Sequence, residues 1–174
     1  IPVYDNELLT KAAQDFGFTE ELFRDRDEKK RSLTLSSVFS SSIFGGGFYL
    51  TDDSSLFRMQ AQTIRNIAEK GSAVIVGRAA DYILRDMGCC LDVFLTSPLS
   101  VRAKRVSERM GMPLEKAQDF IVKKEKERED FYNCFTFGNW GVASTYDLCV
   151  DTSLLGVEGT AKFIIEFAKL SSMI

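Results

Sequence analysis

Residues 73–78 read Ala73-Val74-Ile75-Val76-Gly77-Arg78: a short unbroken apolar run, a glycine, then a cation. A strand with one wet face alternates apolar and polar residues. A run with no polar member fits a strand covered on both faces, as in a parallel sheet. Leu91-Asp92-Val93-Phe94-Leu95 runs in the same way into Thr96-Ser97-Pro98, and Leu148-Cys149-Val150 runs into Asp151. Strands are therefore expected near residues 2–4, 73–76, 91–95 and 148–151.

Between these runs the apolar period changes to that of a helix. Asp5 is a good N-cap for a helix carrying Leu8, Ala12 and Phe16 and ended by Gly17, and Thr19 opens a second, more polar helix. From Ser55, Phe57, Ala61, Ile64 and Ala68 share a face as far as Gly71. A helix from about Ala79 to Met87 follows. Ser97-Pro98 predicts an N-cap with proline at the first helical position, opening a helix through Ser107. Pro113 starts another, with Leu114, Ala117 and Ile121 inward, and the last helix turns Val157, Ala161, Ile164 and Ala168 to one side. Buried strands alternating with amphipathic helices predict a parallel α/β sheet with helices on both faces. Residues 32–53 break the pattern: serines and Gly45-Gly46-Gly47 interleave with Phe39, Phe44 and Phe48, the composition of a mobile loop.

The chain has 174 residues, of which 45% are hydrophobic and 27% charged, enough to bury one core and too apolar for a disordered chain. No run approaches the ~20 apolar residues of a membrane span. A net charge of −3 argues against a broad nucleic-acid surface. Histidine is absent, which excludes Ser–His and Cys–His nucleophiles, histidine zinc ligands and histidine proton shuttles. Cys89, Cys90, Cys134 and Cys149 form no C-x-x-C pair and read as reduced, buried thiols of a cytoplasmic protein. No metal-ligand set stands out. The chain opens at Ile1-Pro2-Val3 without Met, so an upstream segment is expected.

In open α/β sheets ligands bind at the carboxyl ends of the strands. Arg78 follows one such end and suits bidentate phosphate capture, although a surface arginine in a turn would look the same. Arg102 and Arg105 lie three apart beyond another end, on one helix face where two cations repel unless an anion lies between them. The run Lys123-Lys124-Glu125-Lys126-Glu127-Arg128-Glu129-Asp130 mixes favourable and unfavourable pairs. Lys123–Glu127, Lys126–Asp130, Glu125–Arg128 and Lys126–Glu129 help, whereas Lys124–Arg128 and Glu125–Glu129 oppose. This reads either as a solvated face or as a basic face kept for an anion.

Taken together, these segments resemble the cytidylate kinase-like family of P-loop kinases, relatives of the nucleoside monophosphate kinases. The resemblance rests on Val3-Tyr4-Asp5-Asn6-Glu7, on Val74 to Leu84, and on Val93-Phe94-Leu95 running into Arg102. It continues through Lys126 to Tyr132, Trp140-Gly141, Tyr146-Asp147-Leu148 and Asp151-Thr152-Ser153. It implies a three-layer P-loop kinase-like domain over residues 1–174, with a helical lid over 113–145 and with the first strand and phosphate loop upstream of Ile1. It implies ATP as donor, Mg2+ as its companion ion and a small-molecule phosphate acceptor, a nucleoside monophosphate or another small metabolite. Asp5, Arg78 and Asp81 would lie on the acceptor side, Arg102 and Arg105 at the donor nucleotide, and Lys126 and Arg128 on the lid against the transferring phosphoryl group. Lys126 and Arg128 are two apart, so either the lid helix bends or ends there, or one of them pairs with an acid such as Glu129.

Two positions depart from the pattern. Val76 stands where monophosphate kinases often carry an acid, leaving Asp81 or Asp151 to take its place near magnesium. Ala79 stands where cytidylate kinases proper have an acid, so cytidine is not implied as the acceptor base. The alternative reading is a nucleotide-binding regulatory module without turnover. A third is an interaction domain using the aromatics around Phe44 and Phe48, which could also dock on a second subunit in a homodimer.

Overall fold

The computed structural model describes residues 1–5 and 50–171, which divide into two compact units between Asp86 and Met87. The first unit holds β1 (Val3–Tyr4), α1 (Leu50–Lys70), β2 (Val74–Ile75) and α2 (Ala80–Leu84). β1 and β2 are parallel, with Val3 opposite Val74 and Tyr4 opposite Ile75. The Val76 N–H donates to the Tyr4 carbonyl at 2.9 Å, prolonging the ladder by one bond. On α1, Ala61, Ile64 and Ile67 are buried, and the Thr63 hydroxyl returns a bond to the Met59 carbonyl at 2.9 Å. α1 packs against α2, where Ile83 and Leu84 are buried.

The second unit holds β3 (Val93–Thr96), α3 (Leu99–Met110), α4 (Leu114–Thr136), a single 3₁₀ turn (Ala143–Thr145), β4 (Leu148–Asp151) and α5 (Thr152–Leu170). β3 and β4 are parallel, Val93 facing Leu148 and Thr96 facing Asp151. α3 and α4 form a hairpin around Ala103, Ala117 and Ile121, with Val106 and Met112 against them. The architecture is mixed α/β with parallel strand pairs. No helix among the described residues is long and apolar enough to cross a membrane.

Several expectations are corrected. α1 begins at Leu50, not Ser55, because the Thr-Asp-Asp-Ser-Ser stretch suits a helix's positive amino end as well as a loop. Residues 50–53 of the serine- and glycine-rich stretch are thus helical, while its remainder and the two helices expected from Asp5 and Thr19 lie outside the described residues. Ser97 does not cap α3. Pro98 holds the N-cap position, and the Ser97 Oγ is buried without a hydrogen-bond partner. Leu114 is 50% exposed and Val157 75% exposed, so neither points inward. Gly156 breaks α5 with φ 66°, and of the residues after it Thr160 and Ala168 are buried while Val157 and Ala161 are exposed, so the expected face holds at Ala168 and not at Val157 or Ala161. Val74, Val76 and Leu95 are about half exposed, since a strand pair covers less than a full sheet. All four thiols are free, but Cys89, Cys134 and Cys149 are exposed. Cys149 lies on the side of β4 opposite buried Val150. Burial, with Cys89 beside it, pushes the Cys90 thiol up to about 11.

α4 ends at Phe137, whose φ of 54° is left-handed and whose surface is 93% exposed. A side chain there costs about 1–2 kcal/mol that glycine does not incur. Phe137→Gly is expected to stabilise the protein by about 1 kcal/mol, raising Tm by about 2–4 °C in a thermal melt.

Candidate functional site

In each unit the parallel pairing brings two strand ends level, and the polar residues beyond them gather at that edge. In the first unit, Asp5 follows β1 and Arg78 follows β2, so both leave the same end of the pair; Asp81 lies in the first turn of α2. The chain between β2 and α2 is unusual. Gly77, Arg78 and Ala79 have φ of 72°, 60° and 54°, three left-handed residues in succession. The Ala80 N–H reaches the Gly77 carbonyl at 3.2 Å, and the Ile83 N–H reaches the Ala79 carbonyl at 3.0 Å, closing the turn and joining it to α2.

In the second unit, Thr96 and Asp151 mark the carboxyl ends of β3 and β4. The first two turns of α3 carry Arg102 and Arg105, and they reach in different directions. Arg105 donates to the Thr152 hydroxyl at 2.9 Å and to its carbonyl at 3.2 Å. The Thr152 hydroxyl in turn donates to the Thr96 carbonyl at 3.2 Å. Arg102 donates from Nε to the Ser97 carbonyl at 2.7 Å and forms an ion pair with Glu125 of α4. Hydrogen bonds from Ser153, and secondarily Arg105 nearby, hold the Asp151 carboxyl below its ordinary range; the Ser153 N–H donates to it at 2.8 Å.

α4 passes through Lys126 and Arg128 without bending or ending. The two side chains therefore leave it about 200° apart. Lys126 is held by Glu129 at 3.1 Å and Asp130 at 2.9 Å, and these carboxylates raise its pKa, Asp130 more than Glu129. Lys124 pairs with Glu127 at 2.7 Å. Arg128 is exposed and in no ion pair among the described residues. The acid one turn before it, Glu125, is taken by Arg102.

Two participants escaped the sequence reading. Glu125 becomes the partner of Arg102 across the hairpin, and Thr152 becomes the partner of Arg105. Thr152 lies in the Asp151-Thr152-Ser153 motif, which was the available signal. Glu125 had none, because 23 residues separate it from Arg102.

A family model described as the cytidylate kinase-like family matches residues 1–154. A cytidylate kinase of Aeropyrum pernix is 31% identical over 104 residues, and this chain spans 60% of its length. A cytidylate kinase of Pyrococcus furiosus is 32% identical over 157 residues, covering 87% of this chain and 76% of the relative. The crystal structure of an uncharacterized protein from Eubacterium ventriosum superposes with a TM-score of 0.67 at 28% identity, over 97% of this chain and 84% of that one.

Asp151 gives a pH test. Its carboxyl is easier to ionise in the folded protein, so it contributes stability above its unfolded pKa, near ~3.9, and that contribution is lost as pH falls through the lower folded value. Asp151→Asn keeps a capping side chain without the charge. The variant is expected to melt below wild type at pH 6, and the gap is expected to narrow as pH drops from about 4 towards 2, followed as Tm against pH.

Proposed function

The chain belongs to the cytidylate kinase-like family, and we propose that it is an ATP-dependent phosphotransferase acting on a nucleoside monophosphate or a similarly small acceptor. The observation that carries this reading is positional. The matched stretch, residues 1–154, contains all five cations singled out: Arg78, Arg102, Arg105, Lys126 and Arg128. The proposal includes a three-layer P-loop kinase fold with α4 within a lid over residues 113–145. It places the protein in the cytoplasm.

Phosphoryl transfer makes small demands on side-chain chemistry. The transferring group spreads charge over three oxygens, and the protein's work is positioning and neutralisation. A chain without histidine can do that with arginine and backbone amides. In the proposal Arg78 and Asp5 bind and orient the acceptor from the edge of the first strand pair. Arg102 holds the donor, which requires it to exchange Glu125 for a phosphate or base. Arg105, already committed to Thr152, braces the strand ends beneath the donor. Among the described residues no cluster of three acids or thiols could hold a metal by itself. Magnesium, which binds through one or two carboxylates plus phosphate oxygens, would arrive on the nucleotide, with Asp151 the acid at the second strand pair's edge. When bound it neutralises phosphate charge.

The lid position divides the labour of its two cations. Lys126 is saturated by two carboxylates, so its charge is spent within the helix. Of the two, Arg128, on the other side of α4 and in no ion pair among the described residues, is the cation left to meet the developing charge.

The test incubates the protein with ATP, magnesium and a panel of nucleoside monophosphates and small alcohols, following ADP release. Acceptor-dependent ADP release is expected; nucleotide binding without it would leave only a binding module. Arg128→Ala is expected to lose most turnover, since phosphate-clamping arginines can be worth roughly 10³–10⁵. Its stability is expected to stay within about 0.5 kcal/mol of wild type, as for an exposed, unpaired side chain. Arg128→Lys recovers only part of the rate, because a point charge does not reproduce the planar fork. Full turnover by Arg128→Ala would remove it from the mechanism.

A further inference from the structure

The left-handed turn after β2 is assembled from the wrong residues for its shape. Glycine occupies positive φ without steric penalty, and here it supplies only the first of three such positions, Gly77. Arg78 and Ala79 occupy the other two, although each carries a Cβ that crowds the left-handed backbone. Ala79 is 4% exposed, so its methyl is held among neighbours. The turn is fastened at both ends: the Val76 N–H is in the β1–β2 ladder, and the Ala79 carbonyl accepts from Ile83 in α2.

The property gained from such a turn is narrowness. For a residue with a Cβ the left-handed well is small, roughly +50 to +70° in φ, whereas glycine roams widely on both sides of zero. Arg78 and Ala79 lie inside that small well at 60° and 54°. Once the surrounding bonds force the chain there, the two residues have almost nowhere else to go. Such over-determined strain concentrates at ligand clamps. What the turn fixes is the direction in which the Arg78 Cα–Cβ bond leaves the sheet edge.

We propose that Ala79 is a positioning residue: its left-handed, buried backbone confines the turn so that Arg78 is aimed in advance at the acceptor's phosphate. This rests on the phosphotransferase reading and deepens it by naming what orients its acceptor-side cation. A long arginine swinging from a pliable turn must be ordered when the acceptor binds; one swinging from a fixed turn has part of that ordering done beforehand.

The experiment compares wild type, Ala79→Gly, Arg78→Ala and the double variant on the best acceptor from the panel, with thermal melts of each. Glycine relieves the strain but deletes a buried methyl and frees the unfolded chain, so Ala79→Gly is expected to melt close to the wild-type temperature. Its KM for the acceptor is expected to rise about threefold to tenfold with kcat little changed, the pattern of a weakened binding contact. The same glycine added to Arg78→Ala is expected to raise KM no further, because the effect runs through Arg78. An unchanged KM, or an equal rise in KM with and without Arg78, would overturn the proposal; the melts establish that each variant is folded at the assay temperature. Wild type that releases no ADP with any acceptor strikes the phosphotransferase reading itself, and this role with it; wild type that turns over while Ala79→Gly matches it strikes this role alone.

Discussion

The second unit hangs on the parallel pairing of β3 with β4. Parallel strands cannot be joined by a tight turn, so the chain must cross over, and the crossover here is the α3–α4 hairpin with its return loop. The pair is bolted at both ends. At the amino end, the Asp92 N–H donates to the Asp147 carboxylate at 2.8 Å, and the Asp147 and Leu148 N–H groups donate to the Asp92 carbonyl at 2.9 and 3.1 Å. At the carboxyl end, Thr152 bonds back to Thr96 while Arg105 holds Thr152. With both ends tied, the register that places Thr96 beside Asp151 cannot slip. The polar residues following those strands must then emerge together.

The return loop is tied to the same pair by apolar means. Phe94 of β3 packs edge-on against Trp140, with centroids 5.3 Å apart, and against Tyr146 at 5.0 Å. Gly141 passes so close that a Cβ there would stand 3.2 Å from the Phe94 ring, and its φ of 75° would strain any residue with a side chain. The Asn133 side chain accepts from the Trp140 N–H at 2.8 Å, which couples the loop to the end of α4. A helix anchored to the strand pair by its hairpin at one end and by an aromatic cluster at the other carries its middle turns, with Lys126 and Arg128, at a set distance from the sheet edge.

Much of this was legible in the sequence, and the part that was not has a physical pattern. Strand positions came through because an unbroken apolar run such as Val93-Phe94-Leu95 has few other uses, and Gly71 ended its helix as glycine does, whereas α3 ran past Ser107 to Met110 before Gly111 closed it. Inward faces were less secure: just beyond the non-helical Gly156, Val157 faced out and Thr160 in, while Ala168 was buried as expected. Capping failed at Ser97 by one position, because Pro98 took the extended conformation that a cap requires. The polar partners were least legible. Local periodicity assigns charges to neighbours three or four residues away, and it found Lys126–Glu129 and Lys126–Asp130. It could not find Arg102–Glu125 or Arg105–Thr152, since those depend on which helices meet. Nor could it find the left-handed Arg78 and Ala79, because neither residue type favours that conformation.

These unseen contacts change what the cations can do. Five basic residues in a sequence look equivalent; in the structure they are graded by what already neutralises or fixes them. Lys126 is balanced by two carboxylates and Arg105 is held by Thr152. Arg102 shares a half-buried bond with Glu125, so any ligand it takes must compete with a carboxylate already in place. That competition discriminates. A neutral or singly charged ligand gains little by displacing Glu125, whereas a polyphosphate brings more negative charge than the carboxylate it replaces, and the freed Glu125 lies where water can solvate it. The Arg102–Glu125 bridge thus ties α3 to α4 and orders the arginine; in the proposed phosphotransferase it would also set the charge a ligand must bring to take the place of Glu125.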